Sequence, residues 1–225
     1  QEAYYGITSL RDHDNVQIFK KGINRQMIKG LAIIKKAAAK ANQDATLLSQ
    51  DKAKVIMLSC DEILNGRFHG QFITDVVQGG SGAGMNMNAN EVIANRANEM
   101  KGYEKGTYTY INPIDDVNLN QKTSTVIPIC GKIAAIKLVK KLLTELKKLF
   151  NAFLDKANEA KAKGSQCEEQ FKSMAASIQR CYKKIDLAIN DLLPIHLDKE
   201  LLNSEDPNIV KFCKKWVFYI GKYTG

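Results

Sequence analysis

The sequence predicts a mainly α-helical protein, with an N-terminal helical domain followed by part of a long-helix bundle. Apolar residues recur every three or four positions through much of the chain, which is the spacing of a helix with one buried face. Runs typical of parallel strands are missing. Beyond Pro128 the helical spacing continues for longer than a compact domain needs. We place the N-terminal domain at residues 1–120 and the bundle at residues 121–225.

The N-terminal domain is predicted to contain three helices. Residues 1–19 have a mixed pattern, for which we expect extended structure. Helical spacing predicts amphipathic helices over residues 20–42 and 47–64, and a third helix runs from the glycine-rich stretch to about Met100. Residues 103–110, in which Thr107 and Thr109 lie between tyrosines, predict a short hairpin or an extended arm.

Two long helices are predicted in the second half of the chain. The first has apolar residues at alternating spacings of three and four over about 32 residues, a length of about 50 Å at 1.5 Å per residue. A turn near residues 163–166 leads to a second helix that ends by Pro194, so the two form an antiparallel hairpin. The apolar seam of these two helices needs further helices to cover it, either from partner subunits or from the last helix of this chain. The seam residues are Ile136, Val139, Leu143, Leu146, Phe150, Phe153 and Ala157, then Phe171, Met174, Ile178, Cys181, Ile185, Ala188 and Leu192; those of the last helix are Ile209, Phe212, Cys213, Trp216, Val217 and Ile220.

Composition limits the classes of function. The net charge is +9, but the lysines are spread along helices, as in Lys35-Lys36, which is typical of solvated faces. We therefore do not expect a nucleic-acid partner, and a basic-surface binding protein remains only an alternative. No apolar run reaches the roughly 18 residues of a membrane span. The cysteines are odd in number and widely spaced, which predicts reduced thiols in a cytoplasmic protein without a metal site.

The most distinctive stretch is residues 78–98, where four glycines precede a helix rich in asparagine. A glycine loop that enters a helix directs free backbone N–H groups at one point, and the helix dipole favours an anion there. The alternative is a flexible loop followed by an asparagine-capped helix.

Three segments of the sequence resemble the aspartase/fumarase superfamily, in particular its aspartate ammonia-lyases and class II fumarases. The first signature block of that family is similar to Gly79-Gly80-Ser81-Gly82 followed by residues 86–97. Its N-terminal segment is similar to residues 3–11, and its second block to residues 112–128. The resemblance covers residues 3–160. It implies an aspartase/fumarase-like fold, in which four chains associate through long helices.

The resemblance also implies a chemistry, in which a base removes a proton and ammonia or water leaves to give fumarate. Three segments from three chains build each site in the family. In this sequence Ala83 stands at the family's next hydroxyl position, with Gly84 after it, and Lys122 stands where the second block has a small hydroxyl residue. We expect a residual anion cradle for a dicarboxylate if the glycine loop and the second block meet across subunits. Its residues are Ser81, Gly82, Asn86, Lys122, Thr123 and Ser124.

No catalytic residue can be assigned from the resemblance. The family's Thr-His segment and its mobile serine-bearing loop have no counterpart in this sequence, and the histidines His13, His69 and His196 lack a partner motif. We expect no cofactor and no metal.

The expected function is therefore that of a truncated, non-catalytic relative of aspartate ammonia-lyase. It would act as an assembly or binding subunit, in a homo-oligomer or with a lyase-like chain through the long helices. The alternative is a lyase subunit, converting aspartate to fumarate and ammonia, whose catalytic half comes from another chain.

Overall fold

The computed structural model describes residues 3–192, 197 and 202–224, and this part of the chain is mainly helical. The predicted fold class is confirmed. No strand occurs among the described residues; Gly22 and Asp75 form an isolated antiparallel bridge. The helices are α1 (Ile7–Asn15), α2 (Arg25–Asp44), α3 (Gln50–Leu64), α4 (Ala83–Met100), α5 (Thr123–Ala162), α6 (Glu168–Leu192) and α7 (Pro207–Thr224), with a 3₁₀ turn at His69–Gln71 and a π-helical turn at Pro113–Val117.

The chain forms two compact units, which differ from the predicted division at residue 120. The first unit contains residues 1–134 and the C-terminal segment, and the second contains residues 135–194. The boundary falls inside α5, because the first turns of that helix bury Val126, Ile129 and Ile133 in the core of the first unit. The end of the predicted second helix at Pro194 lies outside the described residues.

Helix α2 is the centre of the first unit, with α3 and α7 packed against it. Asn24 caps its start by accepting a hydrogen bond from Gln26 N at 2.8 Å. From α7, the Trp216 indole N–H donates to Ile34 O at 3.2 Å, and the Tyr219 hydroxyl donates to Asp44 Oδ2 at 2.6 Å. The apolar residues of the last helix, which could have closed the long hairpin, are therefore used in the core of the first unit.

Helix α4 ties the loops of the first unit together through buried side-chain amides. Asn88 accepts from Ile73 N and donates to Gln71 O, at 2.8 and 2.9 Å. Asn95 donates to Tyr4 O and accepts from Gly106 N, both at 2.8 Å. Asn98 accepts from Tyr110 N and Ile111 N at 2.9 and 3.1 Å. These amides satisfy loop backbone that has no strand or helix partner.

The same bonds correct one prediction about the loops. Residues 103–110 form turns, and neither a hairpin nor a strand. Gly106 and Tyr108 have positive φ angles of 85° and 51°, which interrupt an extended conformation. The alternation of threonine and tyrosine fits a strand, but the backbone N–H groups here bind asparagine side chains of α4 instead.

The expectation of extended structure over residues 1–19 was wrong, because residues 7–15 form α1. A buried carboxylate at the start of α1 explains the difference. Glu91 of α4, only 2% exposed, accepts from the backbone N–H groups of Gly6, Thr8 and Ser9 at 2.9, 3.1 and 3.0 Å, and from the Ser9 hydroxyl. A carboxylate in this position satisfies the free N–H groups and interacts favourably with the helix dipole. The residue that stabilises the start of α1 lies more than 80 positions away in the sequence, so the local spacing of apolar residues does not predict this helix.

The second unit is a hairpin formed by α5 and α6. On α5 the predicted seam is confirmed, since Ile136, Leu143 and Ala157 are buried and the seam positions between them are half-buried. On α6 four of the seven predicted seam positions are confirmed, since Phe171, Ile178, Ile185 and Leu192 are half-buried. The predicted Met174, Cys181 and Ala188 are exposed, and the residues that follow them, Ala175, Tyr182 and Ile189, lie inward instead. Met174 and Ala175 are adjacent apolar residues, as are Ala188 and Ile189, so spacing alone did not choose between them.

We predict that Glu91→Gln destabilises the first unit by about 2–4 kcal/mol, because an amide nitrogen replaces one of the oxygens that accept from α1. Urea unfolding measures the loss, and hydrogen exchange should show the largest change at residues 6–9. Glu104→Gln removes an exposed carboxylate and serves as the control. Equal stability of the two variants would contradict the capping role of Glu91.

Candidate functional site

The two sequence blocks of the candidate site, residues 79–97 and 112–128, lie against each other within one chain. Gly82 precedes α4 with a left-handed φ of 81°, a conformation that favours glycine. A methyl group at this position would come within 3.1 Å of Ile127 Cγ1, so the start of α4 packs tightly on the first turns of α5. The glycine loop thus brings the N-terminus of α4 to the start of the second block.

Asn86 links the two blocks directly. Its side chain is 2% exposed, and Nδ2 donates to Asn118 Oδ1 at 3.1 Å and to Thr123 Oγ1 at 3.4 Å. Asn118 in turn donates from Nδ2 to Gln121 O at 3.1 Å. Asn86 Oδ1 has no hydrogen-bond partner. A buried acceptor without a donor is costly, so this oxygen favours a ligand or a water molecule that can donate a hydrogen bond.

Lys35 of α2 reaches Asn118 from the core. Its side chain is fully buried, and Nζ donates to Asn118 Oδ1 at 2.8 Å. Burial lowers the pKa of Lys35 to about 7, an effect that the nearby Cys60 and Cys130 sulfurs partly oppose. Burial in turn raises the pKa of both thiols, that of Cys130 to about 12, so both are protonated at neutral pH.

Lys35 is the functional candidate that the sequence reasoning missed. The pair Lys35-Lys36 suggests a solvated face, but Lys36 is half-buried and paired with Asp61 at 2.5 Å, and Lys35 is fully buried. The spacing of the apolar residues on α2 already indicates that Lys35 is buried. Lys35 lies four residues after Leu31 and three before Ala38, both of which are buried, so it occupies the apolar face of α2.

The structure brings together only part of the predicted anion cradle. Gly82 and Asn86 are buried and Thr123 is half-buried where the blocks meet, whereas Ser81, Lys122 and Ser124 are exposed. The cradle as a set of six residues therefore stays a prediction. The hydroxyl and amide groups of Thr123 and Asn86, with the helix N-terminus beside them, could hold a carboxylate by hydrogen bonds.

Other groups of the chain already occupy part of the α4 N-terminus. Gln78 Oε1 accepts from Met85 N at 2.9 Å. The Asp12 carboxylate lies against Gly84, where a methyl group would come within 2.0 Å of Oδ2. Residues 84 and 86 point to opposite sides of the helix, so Asp12 lies on the side of α4 away from Asn86.

Two cavities lie away from the candidate cradle. One of about 440 Å³ is lined by Tyr5, Ile7, Leu10, Asn95 and Tyr108 among others. The other, of about 510 Å³, lies on the hairpin. None of the six predicted cradle residues lines either cavity.

The described residues give no indication of a metal centre. They contain no group of three or more histidine, cysteine or acidic side chains that could hold a metal ion. His13 Nδ1 lies 2.8 Å from Ile73 O and His69 Nε2 lies 2.9 Å from Ile63 O, which are structural contacts, and His196 lies outside the described residues. None of the five cysteines forms a disulfide. No helix in the described part of the chain is long and apolar enough to cross a membrane.

Comparison with known proteins gives concordant matches. Residues 1–162 match the model of a family described as lyase. Over 158 residues the chain is 46% identical to an aspartate ammonia-lyase of Bacillus subtilis, a match that covers 70% of this chain and 33% of the relative. An aspartate ammonia-lyase of Helicobacter pylori is 41% identical over 160 residues, covering 70% and 34%. The chain thus spans about a third of the length of these curated relatives.

Solved structures show the same likeness in three dimensions. A fumarate lyase:delta crystallin from Brucella melitensis matches with a TM-score of 0.90 and 30% identity, over 100% of this chain and 53% of that one. A class II fumarase from Schistosoma mansoni matches with a TM-score of 0.87, over 99% of this chain and 50% of that one; its 23% identity supports the fold alone.

We predict that the stability of the chain rises between about pH 7 and pH 9 through Lys35. The folded-state pKa of about 7 lies below the ordinary value of 10.5, so the unfolded chain binds more protons in this window and unfolding becomes less favourable as pH rises. Lys35→Met should remove a rise on the order of a few kcal/mol in urea unfolding. Lys36→Met, at the neighbouring half-buried position, should retain it. An identical pH dependence in both variants would refute the assignment.

Proposed function

This chain belongs to the lyase family of the aspartase/fumarase superfamily, and from that membership we propose that it is an assembly and binding subunit without elimination activity of its own. The observation that carries the proposal is the meeting of the two blocks at Asn86 and Thr123, which keeps hydrogen-bonding groups for a carboxylate, while Ala83 stands where the family has a hydroxyl. The chain thus retains groups that can bind a carboxylate, while other residues replace hydroxyl residues of the family.

The assembly role is supported by the surface of the hairpin. Several large apolar side chains remain exposed on α5 and α6, by 37% to 69%, although the helices already pack on each other. Leu138, Leu142 and Leu149 share one side of α5, and an exposed apolar stripe of this kind is typical of a surface that a further protein covers. We propose a homo-oligomer, or a hetero-oligomer with a lyase-like chain, built through residues 133–192. The exposed residues are Leu138, Leu142, Leu149, Leu154, Met174 and Leu187.

The binding role is supported by the hydrogen-bond donors and positive charges around the cradle. The cradle combines the α4 N-terminus with the Thr123 hydroxyl, and the Lys35 amine lies behind it. Lys122 adds an exposed cation at the start of α5. All of these favour an anion, and we propose a dicarboxylate such as fumarate or aspartate as the ligand. The cytoplasmic location expected from the cysteines stays a prediction.

The lack of elimination activity rests on the chemistry of the cradle. Elimination builds negative charge on a carboxylate, and donors aimed at that charge supply much of the rate enhancement. Ala83 and Gly84 donate no side-chain hydrogen bond, and no titratable base lies among the six cradle residues except the cationic Lys122. Removing one such donor typically costs about 3 kcal/mol of transition-state stabilisation.

A second function is favoured by one observation. The two blocks assemble within this chain, and they resemble enzymes at 46% and 41% identity. A segment or partner chain that carries the base could therefore complete a site for conversion of aspartate to fumarate and ammonia. Under this alternative the present residues orient the substrate carboxylates, and the partner removes the proton.

We predict that the 225-residue chain binds fumarate but does not form it from aspartate or malate. Fumarate absorbance measures turnover, and calorimetry measures binding. Thr123→Val should weaken binding about 5- to 10-fold, because it removes the hydroxyl and keeps the shape. Thr109→Val, at an exposed loop, is the matched control. Turnover at the rate of ordinary lyases would refute the proposal, and turnover that appears only after mixing with a lyase chain would favour the second function.

We predict further that the hairpin mediates self-association or association with a lyase-like chain. Leu142→Glu combined with Leu149→Glu should convert the oligomer to a monomer in sedimentation, because it places charges in the exposed apolar stripe. Lys141→Glu with Lys148→Glu alters the charge of neighbouring exposed positions and should retain assembly. A wild-type chain that remains monomeric at tens of micromolar, with no partner in native extracts, would contradict this role.

A further inference from the structure

We propose that Lys35 is a positioning residue that holds the two blocks of the cradle together through Asn118, and that its proton controls dicarboxylate binding there. The proposal rests on the binding role proposed above and extends it to regulation by pH. Lys35 does not touch the ligand; it acts through Asn118.

The geometry makes Asn118 the junction of three elements. Its Oδ1 accepts from Lys35 Nζ of α2 at 2.8 Å and from Asn86 Nδ2 of α4 at 3.1 Å. Its Nδ2 donates to Gln121 O at 3.1 Å, immediately before the second-block residues of the cradle. A change in the Lys35 bond therefore acts on Asn86 and on the backbone that leads to Thr123 at the same time.

Burial makes this junction sensitive to a single proton. Lys35 and Asn86 are 0% and 2% exposed, so water competes little with their bonds. In such surroundings a charged donor binds a carbonyl oxygen more strongly than a neutral amine does. Loss of the proton weakens the bond to Asn118 and removes a positive charge from behind the cradle.

The titratable groups that face Lys35 cannot hold its charge constant. Cys60 of α3 and Cys130 of α5 are the neighbours whose electrostatic effect reaches it, and burial keeps both thiols protonated. The acids on the elements packed against α2 are engaged elsewhere. Their partners are Lys36 for Asp61, Lys52 for Asp116, Arg96 for Glu62 and Glu99, Lys40 and Tyr219 for Asp44, and the start of α1 for Glu91.

The direction of the pH effect follows from charge. Below about pH 7 the protonated amine strengthens its own hydrogen bond to Asn118 and favours a dianion in the cradle, although its burial makes the fold as a whole less stable. Above that pH the amine is neutral, and both effects are lost. By linkage, a bound dicarboxylate should raise the pKa of Lys35, so binding near pH 7 takes up a proton.

The test compares Lys35→Met and Lys35→Gln with the control Lys36→Met, in the full chain. Fumarate calorimetry from about pH 6 to 8.5, in buffers of different ionisation enthalpy, should show about tenfold weaker binding at high pH for the wild type and for Lys36→Met. Lys35→Met should bind weakly at every pH. Lys35→Gln keeps a neutral donor, so its binding should be independent of pH and should release or take up no proton through this site.

A second readout does not need the ligand. The side-chain amide NMR signals of Asn86 and Asn118 should titrate with a midpoint near pH 7 in the wild type and in Lys36→Met, but not in Lys35→Gln. An amide titration that survives Lys35→Gln would overturn the inference, as would pH-independent fumarate binding in the wild type. Amides that titrate through Lys35 in a chain that binds no fumarate would refute the proposed binding function and leave the link between Lys35 and the blocks supported.

Discussion

The buried amide side chains of α4 are the constraint on which the first unit depends. Loop backbone between helices has N–H and C=O groups that cannot remain unpaired in a core. Asn88, Asn95 and Asn98 provide partners for the loops around residues 4, 71–73, 106 and 110–111. Glu91 does the same for the start of α1. One helix therefore fixes segments that are far apart in sequence, and it fixes the position of the cradle with them.

The asparagines at 86 and 90 are different from the others. Each is buried, and each has a carbonyl oxygen without a partner. They lie one turn apart, so they share a face of α4, and Asn86 places that face against the second block. A helix whose other amides are fully used for structure thus keeps unsatisfied acceptors near the candidate site. Unsatisfied groups that persist in a core are often associated with binding, because selection for stability alone would remove them.

The sequence predicted those parts of the fold that depend on local spacing. The limits of α3 and α4, the extent of the long hairpin and the buried face of α5 follow from apolar periods that one helix contains by itself. Helix α1 depends on Glu91, and the turns at 103–110 depend on Asn95 and Asn98, so neither is visible in a local window. For the cradle, the sequence predicted Gly82, Asn86 and Thr123 at one place. It missed Lys35, because a lysine beside another lysine resembles a solvated face until its position relative to Leu31 is considered.

The presence of Lys35 in the core is itself an argument about function. A protonated amine buried without a carboxylate partner opposes folding, whereas a methionine would fill similar volume without that cost. The amine reaches Asn118, which no apolar side chain could hold by a hydrogen bond, and Asn118 is bonded to both blocks. The free-energy cost of burying the Lys35 amine therefore arises at the point where the cradle is joined to the core. A protein that needed only a stable scaffold for its long helices would gain from losing this lysine, so its position favours a chain that still binds a ligand over one that only assembles.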